Sequence, residues 1–403
     1  MSNQTIETNC CIVGGGPAGM MLGLLLARAG VDVTVLEKHG DFLRDFRGDT
    51  IHPSTTEILS DLGMLDDFLA LNPQRLPTLS VEFNGQEFVG PDFTALSTKC
   101  PFIAMIPQWD FLSLLESHAS RHPNFRLRMN TEVVGLTQSS ERVSGVVTKT
   151  DHGELKVNAS LIIAADGRRS IVREASQLPM REFGVPIDVL WFRIGRPESN
   201  TAHLLGHIRN DNMMVTIDRG QYIQAGVLIP KGNFDAIRDQ GLDAFRERIV
   251  GIVPDLRSQV HSIESWDQIK LLTVQINRLD KWHRPGLLCI GDAAHAMSPA
   301  GGVGINLAIQ DAVATANLLS AKLVAGNVQN DDLQAVQRRR MWPTKVTQRM
   351  QVVAHRYLVG GRPRFGLEKV FRLLLWLGRP IIPGLAARMI GIGIRSERVT
   401  RND

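Results

Sequence analysis

Gly14-Gly15-Gly16-Pro17-Ala18-Gly19 is the stretch on which the fold turns, set between an apolar run at residues 9–13 and a run of small and apolar residues at 18–29. Its glycines at 14, 16 and 19 fit G-x-G-x-x-G between a strand and a helix. Gly14 permits the tight turn, Gly16 presents no side chain to a pyrophosphate, and Gly19 lets the helix pack closely on the strand. The N–H groups at the start of that helix are then free to face phosphate. The helix stops at Gly30, an ordinary C-terminal signal. V-D-V-T-V-L at 31–36 reads as a second strand rich in β-branched residues. Glu37 follows at the distance where an acidic residue accepts hydrogen bonds from a ribose. Ala18 and Lys38 stand beside these residues as further candidates for cofactor contact. Alone, this unit says dinucleotide and does not separate FAD from NAD.

Working outward, continuous apolar strands of this kind suit a parallel sheet covered on both faces. Residues 54–71 have helical spacing, and 76–93 read as a hairpin around Asn84-Gly85. Residues 109–121 are helical again. Residues 124–153 read as strands with a polar hairpin, and 161–165 as a buried strand ending at Asp166-Gly167. Short β-type runs fill 185–230, a helix 235–253, a buried strand 287–290 and a helix 305–323. From residue 333 the chain is helical, broken at Gly360-Gly361, Pro380 and Pro383.

The expected fold is α/β. A Rossmann-like dinucleotide-binding domain is built discontinuously from residues 1–72, 98–178 and 274–345. A β-rich substrate domain is inserted as 73–97 and 179–273, and 346–403 forms a C-terminal helical segment.

The composition belongs to an ordinary globular enzyme, with 43% hydrophobic and 21% charged residues over 403 positions. A net charge of +4 gives no reason to expect nucleic acid. The charge is uneven, however: residues 337–403 carry 15 Lys and Arg against 3 Asp and Glu. Cys10, Cys11, Cys100 and Cys289 have no metal-type spacing and read as small buried hydrophobes in a reducing compartment, with the cytoplasm as the expected location. The apolar N-terminal run lacks a preceding basic segment and is interrupted by glycines, so it reads as strand and turn rather than a signal peptide.

Two further motifs lie downstream. The first is Ala164-Ala165-Asp166-Gly167-Arg168-Arg169-Ser170 followed by Val172-Arg173. The second is Gly291-Asp292-Ala293-Ala294-His295, then Pro299, then Gly301-Gly302-Val303-Gly304-Ile305-Asn306, then Asp311-Ala312. An Asp at a strand end beside Gly can cap the next helix. An Asp after a buried strand can bond a ribityl hydroxyl, and a glycine run opening a helix brings N–H groups and a helix dipole to a flavin ring.

In order and spacing, the three motifs resemble the class A flavoprotein monooxygenases, the family of para-hydroxybenzoate hydroxylase and the ubiquinone-biosynthesis hydroxylases. The resemblance runs over residues 9–345. It implies FAD held at the ADP end by Gly14, Gly16, Gly19 and Glu37. Arg47 resembles a flavin-contacting arginine, with Arg44 its nearby competitor. Gln108 resembles the glutamine that touches the flavin, and Asp166 and Gly167 match the segment associated with both FAD and the nicotinamide cofactor. Asp292 matches the ribityl-binding aspartate, and Pro299, Gly302, Gly304, Ile305 and Asn306 match the loop around the isoalloxazine.

The activity implied is an NAD(P)H-consuming, oxygen-dependent hydroxylation of an aromatic or otherwise electron-rich, lipophilic small molecule through a flavin C4a-hydroperoxide. No catalytic side chain follows from the resemblance. His295 and Pro299 stand only as candidates, and His295 and His52 read equally as packing or hydrogen-bonding histidines. Trp191 reads as core or pocket wall. The same scaffold also carries isoprenoid reductases, and a flavin-binding sensor without turnover uses the same cofactor site. A flavin-dependent halogenase is disfavoured, because the segment Trp191-Phe192-Arg193-Ile194 lacks the second Trp and the Pro of W-x-W-x-I-P. The tail at 370–394 interleaves apolar residues with arginines. It suits peripheral contact with an anionic membrane, or alternatively a helix pair packed on the FAD domain.

Overall fold

A computed structural model describes residues 4–43, 50–197, 206–359 and 382–400. The glycine turn sits as expected, between β1 (Gln4–Val13) and α1 (Pro17–Arg28), with β2 (Val33–Leu36) next. α1 is buried almost all round, from Ala18 to Ala27. It is therefore a core helix, not an amphipathic one, and its Leu and Met side chains contribute roughly 1.5–3 kcal/mol each on burial.

Three more strands complete the nucleotide sheet: β3 (Phe125–Arg128), β4 (Gly153–Ala164) and β5 (Leu287–Cys289). The spatial order is β5, β4, β1, β2, β3, with every neighbouring pair parallel. His283–Arg284 adds a short antiparallel edge beside β5, and the hairpin of Glu132–Ser139 and Arg142–Thr150 pairs with the first half of β4.

Register does the positioning. Val13 lies opposite both Leu36 and Ala164, and Ala164 lies opposite Cys289. Four strands thus end on one rung. The backbone carries that alignment one residue further, through Gly14 N–H to Leu36 C=O (2.8 Å), Ala165 N–H to Val13 C=O (2.8 Å) and Ile290 N–H to Ala164 C=O (2.9 Å).

The second body is a seven-stranded sheet whose strands come from 78–92 and 187–272. One face is covered by helices Phe234–Asp239 and Leu242–Ile252, against Leu190, Phe192, Met214 and Val227. The other face turns toward the nucleotide body. Trp191 and Leu228, like Val352, pack against the buried cluster of Val185, Ile187, Val189, Val274 and Ile276, and Ile217, like Ile390, packs against the cluster that holds Phe93, Ile103 and Met105.

Some expected boundaries shift for local reasons. The helix expected at 54–71 is two, α2 (Pro53–Asp61) and Leu65–Ala70, with Gly63 at φ +72 between them. The helix expected at 235–253 is likewise broken at Gly241, at φ +92. α3 (Val303–Val324) backs the nucleotide sheet, and α4 (Asn330–Val359) runs unbroken through residue 345, so the seam expected there falls inside a helix.

Of the tail, residues 360–381 lie outside the described residues. Residues 382–400 pack back on the molecule: a Cβ at Gly391 would stand 3.0 Å from the Phe93 ring. Arg398 pairs with Glu57 and Asp61, acidic groups of the body that take up part of the tail's basic excess, and Arg339 pairs with Glu397 within 337–403 itself. Among the described residues no helix is long and apolar enough to cross a membrane.

The turn makes a sharp test of packing against binding. A Cβ at Gly19 would stand 1.9 Å from the Gly14 carbonyl oxygen, whereas a Cβ at Gly16 would meet nothing within 4 Å. Gly19→Ala is expected to cost on the order of 3 kcal/mol in urea unfolding of the apoprotein. Gly16→Ala should leave that stability within about 1 kcal/mol of the parent while nucleotide affinity falls; equal stability losses in the two variants would contradict this assignment.

Candidate flavin site

The common rung brings the three motifs to one crevice at the carboxyl ends of the strands, where open α/β sheets bind ligands. Gly14, at φ +107, lies so close to the second motif that a Cβ would stand 2.5 Å from the Ala165 carbonyl oxygen. Gly291, at φ +58, fits between Ala18 and Ala308, which its own Cβ would approach at 3.4 and 3.1 Å. Ala18 is therefore small for packing, and it joins the glycine turn to the third motif.

Glu37 is buried, and its carboxylate is held within the turn it serves. One oxygen accepts from Gly15 N–H and the other from His39 N–H, both at 3.0 Å. Lys38 beside it is exposed. Asp166 accepts from Val172 N–H at 3.2 Å, capping the short helix Ile171–Ser176, while its Oδ1 is buried without a hydrogen-bond partner. Burial raises the Asp166 carboxyl above its ordinary range, against the pull of Ser170 and Val172. Gly167, at φ +84, has open space around its α-carbon.

Asp292 is half-exposed and meets Arg168 Nε at 3.0 Å. Arg173 donates to the carbonyls of Ala293 (3.1 Å) and Arg168 (2.6 Å). These two arginines, quoted in the motif but given no role from sequence, fasten the second motif to the third.

The wall opposite is the start of α3. Gly301 and Gly302 take positive φ (+77 and +62), and Gly302 N-caps α3 with no side-chain cap. The first-turn N–H groups are thus left to a ligand. Gly304 is open, its nearest neighbour for a Cβ being Met297 at 3.7 Å, and Ile305 beside it is half-buried.

Asn306 is a clamp. Its Oδ1 accepts from His52 N–H (2.9 Å) and Thr55 Oγ1–H (2.8 Å), and its Nδ2 donates to the carbonyls of Thr50 (2.9 Å) and Gly302 (3.1 Å). With its amide fully used on protein, Asn306 holds the strand Thr50–Ile51 and α2 against the loop. That strand pairs with Ile103–Met105, and Gln108 is the first residue of the helix that follows, Gln108–Ala119. Arg47 and its competitor Arg44 lie outside the described residues.

Behind this wall sits a buried charge network. Asp311 accepts from Gly291 N–H (3.0 Å), His295 Nε2–H (2.6 Å) and Arg340 Nε–H (2.9 Å), and Arg340 also reaches Glu397 at 3.5 Å. Burial pushes the Asp311 carboxyl upward, but the neighbouring His295 and Arg340 outweigh it and hold it below its ordinary range. His295 is 1% exposed and its ring stacks on Trp282 at 4.9 Å. This is the setting of a brace rather than of an acid or base that meets substrate. Sequence reasoning missed Arg340 and Glu397 because their partners are far away in the chain. The signal available was Asp311 inside the third motif and a basic pair, Arg339-Arg340, on a helix without Asp or Glu after its first turn.

The donor set fits FAD on its own terms: a cradle at Gly16 that a side chain would fill, a buried unpaired carboxylate oxygen at Asp166, and an uncapped helix N-terminus at a glycine wall.

The chain matches the FAD binding domain family over residues 7–350. It is 32% identical to a 6-methylpretetramide 4-monooxygenase of Streptomyces rimosus over 355 residues, which is 88% of this chain and 85% of that one. It is 30% identical to a flavin-dependent monooxygenase of Mycobacteroides abscessus over 75% of its own length, and spans 65% of that longer protein. In three dimensions it is similar to a p-nitrophenol 4-monooxygenase of Pseudomonas putida, with a TM-score of 0.80 and 21% identity, covering 98% of this chain and all of that one.

His52 yields a pH prediction. It is fully buried, with Nδ1–H donating to the Ile390 carbonyl at 2.8 Å, and burial lowers its pKa from 6.5 to about 4. A histidine held neutral in the fold contributes stability above pH 6.5 that is lost as pH falls toward 4. The loss is about 3 kcal/mol at 1.36 kcal/mol per unit. Urea unfolding of His52→Asn across that window should show a flatter dependence on pH than the parent; parallel curves would remove His52 as the cause.

Proposed function

The chain belongs to the FAD binding domain family and, with it, to the class A flavoprotein monooxygenases, and we propose that it hydroxylates an aromatic, lipophilic small molecule at the expense of NAD(P)H and dioxygen. It is an FAD-dependent oxidoreductase of the monooxygenase type. Bound FAD supplies the redox chemistry, taking electrons from NAD(P)H and passing them to oxygen.

The protein's own contributions follow from the site. The Gly14 turn and Glu37 would hold the ADP end, Asp292 and Asp166 would face the middle of the cofactor, and the N–H groups opening α3 would favour negative charge on the ring.

The observation that carries the substrate class is one row of the seven-stranded sheet, on the face turned toward the nucleotide body. Trp191, Gly226, Val215, Gly206 and Val81 lie side by side across five strands. Two glycines flatten that row, and Trp191 lies over one of them: a Cβ at Gly226 would stand 3.1 Å from its ring. A broad apolar wall with an indole plate suits a planar ring system better than a small polar or charged substrate. The four free, buried cysteines suit a reducing compartment, and we place the enzyme in the cytoplasm.

The test is to supply the yellow holoprotein with NADH or NADPH and a panel of phenols and polycyclic aromatics under labelled dioxygen. The expected result is substrate-stimulated NAD(P)H oxidation and a product heavier by one labelled oxygen. A saturated product without oxygen would instead establish a reductase, and bound FAD with no turnover a sensor. Gly226→Val should displace Trp191 and raise KM for an aromatic substrate roughly tenfold while FAD content is unchanged.

A further inference from the structure

Polar side chains of α4 pack behind the loop that opens the flavin wall. Gln351 is buried, and its amide makes three hydrogen bonds to that loop. Its Oε1 accepts from Ser298 N–H at 3.0 Å, and its Nε2 donates to the carbonyls of Ser298 (3.0 Å) and Ala300 (3.2 Å). One turn earlier, Gln348 Nε2 donates to the carbonyls of Ala296 (3.0 Å) and Asn277 (2.7 Å). One turn later, His355 Nε2 lies 2.7 Å from Ser298 Oγ, which also accepts from Ala300 N–H at 3.2 Å.

Gln351 thus does for Ser298 what a neighbouring strand would do, pairing both its N–H and its C=O. The residues it holds flank Pro299 and lead directly into Gly301 and Gly302. Glycines at positive φ restrict a loop very little, so the place of this wall is set from behind. Removing the amide would take their partner from the N–H and C=O of buried Ser298 and from the C=O of Ala300, and the loop would shift to satisfy them.

We propose that Gln351 is a positioning residue for the isoalloxazine ring: through Ser298 and Ala300 it fixes Pro299 and the opening of α3 at the distance the ring requires. This rests on the reading that residues 299–305 wall the ring. Gln351 touches the loop and not the reacting atoms, so its effect belongs in flavin affinity and midpoint potential before it reaches turnover.

The experiment compares the parent with Gln351→Met and Gln351→Glu. Apoprotein is titrated with FAD by flavin fluorescence at pH 5.5 and pH 8, holoprotein is measured for midpoint potential, and apoprotein unfolding is followed separately. Gln351→Met is expected to raise the Kd for FAD roughly tenfold at both pH values and to shift the potential. Gln351→Glu should be equally weak at pH 8, where a carboxylate faces two carbonyls. It should recover most of the parent affinity at pH 5.5, where a protonated carboxyl donates to one of them. Kd and potential unchanged in both variants, with only apoprotein stability reduced, would overturn the proposal and leave Gln351 as core packing. Should Gln351→Met fail to fold, Gln351→Asn, whose amide is one methylene short of Ser298 and Ala300, takes its place, and an unchanged Kd and potential there overturns it equally. A parent protein that takes up no FAD would instead defeat the flavin reading itself.

Discussion

The site depends first on a register: four parallel strands end on the same rung. Leu36, Val13, Ala164 and Cys289 stand side by side. Because strands rise about 3.3 Å per residue, a slip of one position would move a whole motif by that distance and turn its side chains to the other face. The hydrogen bonds that continue past the rung, from Gly14, Ala165 and Ile290, hold the motifs in line where the strands themselves have ended. The glycines then act within that frame. Gly14 and Gly19 let backbone approach backbone, Gly16 leaves room for a ligand, and Gly291 lets the third motif close against Ala18.

A second layer of interactions keeps the frame from relaxing. Asp311, His295, Arg340 and Glu397 are buried together, and the first of them bonds the backbone of Gly291. Burying such a set has a desolvation cost, and its Coulombic return depends on every member being paired. Here the pairing ties α3, whose first turn forms the glycine wall, to α4 and to the last residues of the chain. Asn306 and Gln351 extend the same logic with neutral amides, Asn306 through four hydrogen bonds to its surroundings and Gln351 through three to the backbone of the loop. The C-terminal residues 382–400, expected either to meet a membrane or to pack on the protein, are pinned through Ile390 to His52, through Glu397 to Arg340 and through Arg398 to α2.

Much of the site could be read along the chain because its signals are local. A glycine at 14, 16 or 19, an Asp after a buried strand, and a glycine run opening a helix each declare a backbone requirement that neighbouring residues confirm. The breaks at Gly63 and Gly241 were equally local but were hidden inside continuous helical spacing, where a single glycine weighs little against periodicity. The roles of Arg168, Arg340, Gln351 and Glu397 were not local. An arginine in a basic tail looks the same whether it meets solvent or a buried carboxylate 29 positions earlier, as Arg340 meets Asp311.

By itself, then, the sequence determined the strand–turn–helix chemistry, the order of the three motifs and the cofactor that order implies, since these rest on backbone conformations that particular residues allow or forbid over a few positions. The tertiary structure alone decided which side chains serve the ligand and which serve the frame. Asn306 looked like a cofactor contact and has its amide filled by protein, while His295 proved to be stacked and paired in the core. It also decided the shape of the substrate wall, because a row such as Trp191, Gly226, Val215, Gly206 and Val81 exists only once distant strands are in register. Hydrogen-bond capacity and apolar contact are spent in space, and no spacing along the chain records where.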